Sequence, residues 1–215
     1  MIEALSVYIA GAILRPLPDG VQLKTKHHLL DTIAACASGS QLPPGLAAIP
    51  VLDRFPSKPE ATVIGTNRTV DVVRAAFANG MSAHGDETDD SHEAGLIHPG
   101  CSIVPAALAV AQHQNQGKDA LLRAVALGYD VAARVTQALW PDNETLRTNG
   151  RSTHAIGGLF GAVASSSSLL GLSPLECAYA LSFAAQEASG IRTWTRDVEH
   201  IEKAYVFGGM PAMTG

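Results

Sequence analysis

The sequence predicts an all-α fold, and three observations carry that prediction. Apolar residues recur every three to four positions along most of the 215 residues, which is the period of an amphipathic helix. Residues typical of helix starts and ends separate these periodic segments. Only Glu60 to Thr66 resembles a short strand, and the chain contains neither an internal repeat nor a low-complexity linker. We therefore expect residues 1–215 to form one multi-helix domain.

Two helices are predicted in the first forty residues. The first ends before Pro16, and its apolar face consists of Ile2, Leu5, Ile9 and Ile13. The second runs from about Gly20 to Ser38 and stops at Gly39, because glycine is favoured just after a helix end. The inward face expected for this second helix consists of Leu29, Leu30, Ile33 and Ala37.

Shorter elements lead from these helices to a polar stretch. Pro43 is suited to open a third helix, since proline is tolerated in the first turn. Thr69 is expected to cap a fourth helix, whose apolar residues are Val72, Val73, Ala76 and Phe77. Residues 81–101 differ from their surroundings, because they are polar, acidic and rich in histidine.

A helix that is apolar around most of its circumference is predicted in the second half of the chain. One helix begins near Pro105 and ends by Gly117, and Asp119 is expected to cap the long helix that follows. Two apolar stripes run along the long helix: Leu121, Ala124, Gly128, Val131 and Val135, and Leu122, Val125, Tyr129 and Ala132. Such a helix belongs at the centre of a domain.

Two further helices follow a loop from Trp140 to Thr153. The first, from Gly157 to Leu170, is rich in glycine, alanine and serine, which allow close helix packing. The second begins at Ser173, where Glu176 completes a capping box and proline occupies the first helical position. We expect this helix to stop at Gly190.

Composition and charge exclude several classes of protein. The net charge of −5 argues against a phosphate-backbone binder, so we expect no nucleic-acid partner. No run of 18 apolar residues is present, so no membrane span is expected. Three widely spaced cysteines and an N-terminus without a secretory pattern indicate a cytoplasmic protein. Charged residues make up only 16%, which suggests that part of the surface is buried against another subunit or domain.

The acidic, histidine-rich stretch is where we expect chemistry. Five acidic residues lie from Asp86 to Glu93, and the histidines around them are His84, His92 and His98. A solvated acidic loop is the plain alternative, since charge runs are usually surface. A metal site is a second interpretation, although the chain carries no HExxH motif and no second cluster at metal-ligand spacing.

Two more interpretations of this stretch remain. Asp89, Asp90 and Glu93 fit a DDxxE pattern for magnesium and diphosphate, but an aromatic content of 5% argues against the aromatic walls that such synthases need. Metal-free acid–base catalysis by a histidine and a carboxylate is the other. It requires cations for an anionic substrate, and the candidates are Arg151, Arg192 and Lys203. Glycines soon after Lys203 would let the backbone approach a ligand.

Several motifs together resemble the MmgE/PrpD family, which includes 2-methylcitrate dehydratase, cis-aconitate decarboxylase and iminodisuccinate epimerase. The segments that carry the resemblance are residues 79–111, 30–32, 128–134, 154–172 and 203–215. The resemblance implies a helical N-terminal domain, followed in relatives by an α+β domain that completes the active-site cleft. We therefore expect a chain truncated at its C-terminal end, with that second domain missing. The resemblance also implies a homodimer and neither a metal nor an organic cofactor.

The same resemblance assigns roles to individual residues. His98 and His154 match active-site histidines, and Lys203 matches a substrate-side lysine. Glu87 stands where the family commonly has aspartate, and Ser91 where threonine is common. We expect Asp90 or Glu87 to orient or tune His98, and Arg151 or Arg192 to assist Lys203 in holding carboxylates. This sequence departs from the family pattern in having Glu87 for aspartate, Thr88 for phenylalanine and no histidine three residues after Lys203.

These residues predict lyase-type carbon-acid chemistry on a small di- or tricarboxylate. The first expectation is an activity like that of 2-methylcitrate dehydratase. The alternatives are cis-aconitate decarboxylase-like or iminodisuccinate epimerase-like activity, because one acid–base site supports dehydration, decarboxylation and epimerisation. A further alternative is a truncated, catalytically incomplete helical module that serves dimerisation.

Overall fold

A computed structural model describes residues 2–54, 56–142 and 150–215 and confirms the all-α class. The helices are α1 (Ile2–Ala12), α2 (Asp19–Gly39), α3 (Pro43–Asp53), α4 (Val72–Ala83), α5 (Gly100–His113), α6 (Lys118–Leu139), α7 (Thr153–Leu169), α8 (Pro174–Glu187), α9 (Ile201–Ala204) and α10 (Met210–Thr214). Short 3₁₀ turns cover Glu93–Gly95 and Arg192–Arg196, and a π-helical turn, Tyr205–Gly209, joins α9 to α10. No helix in the described ranges is both long and apolar enough to cross a membrane.

The centre of the domain is the packing of α6 on α7. Gly128 and Gly161 face each other, since a Cβ atom on either would lie 2.8 or 2.9 Å from the other's carbonyl oxygen. Every residue of α7 is buried except His154 and Phe160. The predictions of a central helix and of a small-residue helix are therefore confirmed, because only small side chains permit this approach.

Helix boundaries follow the predicted signals in some places and depart from them in others. The capping box of α8 is present: Ser173 accepts from the Glu176 N–H, and the Glu176 carboxylate accepts from the Ser173 N–H at 2.8 Å. The caps predicted for α4 and α6 were wrong. Asp71, not Thr69, caps α4 by accepting from the Arg74 N–H, and α6 starts after Gly117 with Asp119 in its first turn.

Thr69 does not cap a helix because it lies in a second strand. The strand predicted near residue 60 is β1 (Ala61–Val63), and it pairs antiparallel with β2 (Arg68–Val70). Thr69 lies opposite Thr62 in this hairpin. The extended backbone then continues to Asp71, so the helix cap lies two residues later than predicted.

The predicted inward face of α2 was wrong for Leu30 and Ala37, whereas Leu29 and Ile33 are partly buried as predicted. Leu30 is 68% exposed and Ala37 is exposed, whereas the buried residues of α2 are Thr25, Thr32, Ala35, Cys36 and Gly39. The physical reason is close packing against α4, because a Cβ atom on Gly39 would lie 1.9 Å from the Ser82 carbonyl oxygen. Small residues, and not the largest apolar ones, therefore face the core on this helix.

Candidate active site

Four histidines from separate parts of the chain surround one phenylalanine ring. His84 follows α4, His98 precedes α5, His154 lies in the first turn of α7, and His200 precedes α9. Phe207 stacks on His154 at a centroid distance of 3.8 Å and on His84 at 4.6 Å. The His98 ring lies 5.1 Å from the His84 ring and 5.3 Å from the His154 ring. His200 completes the set at 5.6 Å from His84, and we call these five residues the histidine cluster.

A pair of glycines brings the π-helical turn close to α4. A Cβ atom on Gly208 would lie 2.1 Å from the Gly80 carbonyl oxygen, and one on Gly80 would lie 2.6 Å from the Gly208 oxygen. π-Helical turns inside helices are frequent at functional sites. Here the close approach buries Phe207 to 1% exposure and carries Lys203, one turn earlier, to the same end of the domain as His84.

A buried carboxylate joins two members of the histidine cluster. Both oxygens of Asp89 contact His84 Nδ1, at 2.9 and 3.0 Å, and Oδ2 lies 3.6 Å from His98 Nδ1. Burial raises the pKa of Asp89 to about 7, with the charge of His98 acting in the opposite direction. Burial, helped by the positive charges of its neighbours, lowers the pKa of His84 to about 2. His84 is therefore neutral, and its Nδ1–H donates to Asp89.

The neighbouring carboxylate, Asp90, faces away from the histidine cluster. Its Oδ2 accepts from the Tyr129 hydroxyl at 2.7 Å and lies 2.7 Å from His28 Nδ1, while its Oδ1 accepts from the Gly100 N–H. Burial acts to raise the pKa of Asp90, but these hydrogen bonds together hold it below its usual value. Through these contacts Asp90 holds the loop between α4 and α5 against α2, α5 and α6. The carboxylate beside His98 is therefore Asp89 and not Asp90.

Lys203 and Glu87 meet at the exposed side of the cluster. The Lys203 ammonium contacts the Glu87 carboxylate, and the same oxygen lies 2.9 Å from His200 Nε2. Lys203 Nζ also lies 5.4 Å from the ring centroids of Trp194 and Phe207, within range of a cation–π interaction. Burial lowers the pKa of Lys203. Glu87 reaches this position from a left-handed backbone conformation, with φ of 56°.

The remaining residues predicted for the site lie around its edge. Burial, helped by the charge of His98, lowers the pKa of His154 to about 2, so this imidazole is neutral. Arg192 is exposed, and its charge also reaches His154. Arg151 is exposed and pairs with Ile191 in an isolated β-bridge, whereas Ser91 is exposed on the loop after Asp90. The structure thus brings His98, His154, Lys203 and Glu87 together and leaves Asp90 outside.

Sequence reasoning overlooked part of the cluster. His200 carries no motif, and the sequence assigns no chemistry to Phe207. Asp89 entered only as a magnesium ligand in the diphosphate interpretation. Its five-residue spacing from His84 matches neither the helical nor the strand period, so periodicity contains no signal for this contact.

Among the residues that the structure describes, two groups of side chains have the composition of metal ligands. The donor atoms of His84, Asp89 and His98 lie within 4.8 Å of one another, as do those of His84, Glu87 and His200. In the first group the Asp89–His84 hydrogen bond accounts for the short contact. In the second, the Lys203 ammonium already neutralises Glu87 and would repel a metal cation. Hydrogen bonding and ion pairing therefore account for both groups without a metal ion.

Comparison with known proteins identifies the family of this chain. The MmgE/PrpD N-terminal domain matches residues 3–215. The cis-aconitate decarboxylase-like protein oryM of Aspergillus oryzae is 30% identical over 213 residues, which cover 93% of this chain and 44% of that protein. The chain thus spans less than half the length of this curated relative. Because the domain match takes in nearly every described helix and the whole histidine cluster, the chain belongs to the MmgE/PrpD family.

Proposed function

We propose that the histidine cluster is part of the active site of a lyase that acts on a small di- or tricarboxylate by metal-independent acid–base chemistry. One observation carries the proposal. A partly buried lysine, Lys203, lies on the same cluster as His98, whose side chain is 25% exposed and adjoins the buried carboxylate of Asp89. A carboxylate-binding cation and an acid–base group thus occur together, as carbon-acid chemistry requires.

In the proposed mechanism, His98 removes a proton from the carbon next to a substrate carboxylate. The C–H bond breaks, its electron pair enters an enolate-like anion, and the proton goes to His98. Lys203 holds that carboxylate and stabilises the negative charge that develops on it. In a dehydration the electron pair then forms a C=C bond as the β-hydroxyl leaves, and a proton from an acid of the site converts it to water.

The other candidate residues have supporting places in this mechanism. His154 is neutral and partly exposed, so it serves as a hydrogen-bonding group and not as a cation. Arg151 and Arg192 lie at the exposed edge, where their charges attract a polycarboxylate. Glu87 forms an ion pair with Lys203, and a substrate carboxylate competes with Glu87 for the Lys203 ammonium. Ser91 offers a hydroxyl from the exposed loop, and Asp90 holds the loop in place.

The substrate we test first is 2-methylcitrate, with dehydration as its reaction. A second candidate is decarboxylation of cis-aconitate, because the Aspergillus relative is named for it. In that reaction the C–C bond to one carboxylate breaks, CO2 leaves, and the bonding electron pair stays on the substrate. A protonated histidine then supplies the proton that forms the new C–H bond. We further propose a cytoplasmic homodimer whose cleft a second domain completes. The low charged fraction and the extra length of the relative support this assembly.

A turnover assay tests the proposed function. The protein, together with the second domain that we propose completes its cleft, is incubated with 2-methylcitrate or cis-aconitate, and products are followed by NMR. We expect turnover of one substrate, and a loss of at least about 100-fold in the His98→Ala variant, the usual scale for an acid–base group. His27→Ala, at an exposed position of α2, is the matched control and should retain full activity. Near-normal turnover by His98→Ala would remove His98 from the mechanism.

A further inference from the structure

We propose that Asp89 is a positioning residue: anchored by His84, its carboxylate holds His98 with a proton on Nδ1 and leaves Nε2 to exchange the substrate proton. The catalytic part of this inference rests on the proposed function. The hydrogen-bond arrangement itself does not, because it follows from buried groups whose contacts are independent of any substrate.

The geometry places one carboxylate between two imidazole rings. Asp89 is 6% exposed and His84 is fully buried, so this acceptor has no access to bulk water. His84 Nδ1 lies 2.9 Å from Asp89 Oδ1, and His98 Nδ1 lies 3.6 Å from Asp89 Oδ2. The two rings meet edge to face at 67°, which allows both Nδ1 atoms to point at the same carboxylate.

The groups around His98 leave Asp89 as the hydrogen-bond acceptor for its Nδ1–H. His84 and His154 flank the ring, and both are neutral, so neither supplies a counter-charge. Phe207 covers another side at 5.8 Å and has no polar atom to offer. Beyond them, the charges of Lys203 and Arg192 are positive, and Glu87 is engaged by Lys203 and His200. Asp89 is the one acidic group in ion-pair range of His98 within the described ranges.

His98 Nδ1 is itself a buried atom without a hydrogen bond inside 3.5 Å. A quarter of the His98 side chain is nonetheless exposed, so the accessible part of the ring lies away from Nδ1. His98 Nδ1 and Asp89 Oδ2 are now 3.6 Å apart, and a small movement to hydrogen-bond distance would give this nitrogen a partner. Catalytic hydrogen bonds often shorten in this way when ligand binds. The buried edge is therefore suited to positioning and the exposed edge to chemistry.

This arrangement explains how the charge on His98 is neutralised after proton transfer. When Nε2 of His98 accepts the substrate proton, the ring becomes an imidazolium with protons on both nitrogens. The Asp89 carboxylate neutralises that charge without taking the proton, as an orienting carboxylate does beside a catalytic histidine. His84 donates its own Nδ1–H to both Asp89 oxygens, which prevents the carboxylate from rotating away.

Histidine NMR tests the inference without reference to activity. Long-range 1H–15N spectra of ¹⁵N-labelled protein at pH 8, above the pKa of Asp89 of about 7, report the tautomer of each ring. His98→Gln identifies the His98 signals by their loss. We expect the Nδ1–H tautomer at His98 in the unmodified protein, a mixture of tautomers in Asp89→Asn, and the Nδ1–H form restored in Asp89→Glu. Asp130→Asn, which removes a carboxylate from an exposed ion pair, should leave the spectrum unchanged.

Each outcome decides the inference. An Nε2–H tautomer at His98 in the unmodified protein overturns it, and this measurement needs no variant to fold. An unchanged tautomer in folded Asp89→Asn overturns it as well. For turnover we expect kcat of Asp89→Asn to fall roughly 10- to 100-fold, within the range of acid–base contributions, with KM within about threefold. If the tautomers behave as expected but neither carboxylate substrate reacts, the proposed function fails and the positioning role stands.

Discussion

Asp89 and Asp90 are adjacent in the sequence, yet their carboxylates lie on opposite sides of the loop before α5 and contact different partners. Asp89 Oδ1 lies 2.9 Å from His84 Nδ1 inside the histidine cluster, whereas Asp90 Oδ2 lies 2.7 Å from the Tyr129 hydroxyl between α2 and α6. One carboxylate therefore faces the site and the other holds the loop in place. The two residues should accordingly fail in different ways when changed.

Replacing Asp90 should destabilise the fold. Asp90→Asn removes the charge that accepts from Tyr129, His28 and the Gly100 N–H, and leaves buried donors poorly matched. We expect a loss of about 1–3 kcal/mol in the free energy of unfolding, the scale for leaving buried hydrogen-bonding groups unsatisfied. Urea denaturation measures it. Asp130→Asn, which breaks the exposed pair with Arg134, should cost less than about 1 kcal/mol, and equal losses in both variants would contradict the anchoring role.

The protein should lose stability in acid because His84 and His154 are buried in the neutral form. Their pKa values fall from 6.5 to about 2 on folding, so between these limits the unfolded chain binds protons that the folded chain does not. The free energy of unfolding therefore decreases as pH falls from 6.5 towards 2. Asp89 acts in the opposite sense between 3.8 and about 7, since its folded pKa is raised, and so offsets the contribution of one histidine.

Removing one buried histidine should flatten this pH dependence. His154→Gln is expected to lower the slope of the unfolding free energy between pH 4 and 6 by up to about 1.4 kcal/mol per pH unit, the value for one proton. Urea titrations at several pH values give the slope. The exposed His27→Gln is the matched control and should leave it unchanged. A slope for His154→Gln equal to that of the unmodified protein would show that His154 is not held neutral.

Adding a methyl group at Gly208 should separate the π-helical turn from α4. The new Cβ atom would lie 2.1 Å from the Gly80 carbonyl oxygen, and neither backbone can yield cheaply. We expect Gly208→Ala to cost about 1–3 kcal/mol or more, as overpacking does, and to lower Tm in a calorimetric scan. Gly20→Ala, within α2 and facing open space, should raise Tm slightly because alanine favours helix. A Tm for Gly208→Ala within error of the unmodified protein would refute the close approach.

Releasing Lys203 from Glu87 should strengthen carboxylate binding. Glu87→Gln removes the anion that contacts the ammonium, so a ligand carboxylate no longer competes with it. We expect affinity for citrate at low ionic strength to rise by up to roughly fivefold, since a half-exposed ion pair contributes at most about 1 kcal/mol. Isothermal titration calorimetry measures the change. Glu93→Gln, an exposed acid of the same loop, should have no effect, and Lys203→Met should abolish binding. Equal affinities for the Glu87 and Glu93 variants would argue against Lys203 as the carboxylate-binding group.

Much of the fold was predictable because its signals are local. The capping box from Ser173 to Glu176 acts within one helical turn, and the small residues of α7 form a run that the sequence itself displays. The inward face of α2 was not predictable by the same means. Leu30 is exposed and Gly39 buried because α4 approaches too closely for large side chains, and that distance is a property of two helices.

The sequence predicted which residues belong to the candidate site, but it did not predict how they are arranged. Motif resemblance located His98, His154, Glu87 and Lys203, which the structure brings to one end of the domain. It did not distinguish Asp89 from Asp90, because the two side chains are chemically identical. Their opposite directions depend on a left-handed backbone conformation at Glu87, with φ of 56°, and on Asp90 partners in three different helices.

The sequence by itself determined the all-α class, the family and the kinds of side chain available for acid–base chemistry. These properties depend on residue types and on short spacings between them, and both can be read directly from the sequence. Tertiary structure decided that His84, His200 and Phe207 join the site, that Asp89 faces His98, and that Asp90 binds the fold instead. His200 and Phe207 are far from His84 in the sequence, and glycine-mediated packing of α4 against the π-helical turn brings them to it. The directions of Asp89 and Asp90 depend on the partners that other elements present to a short loop.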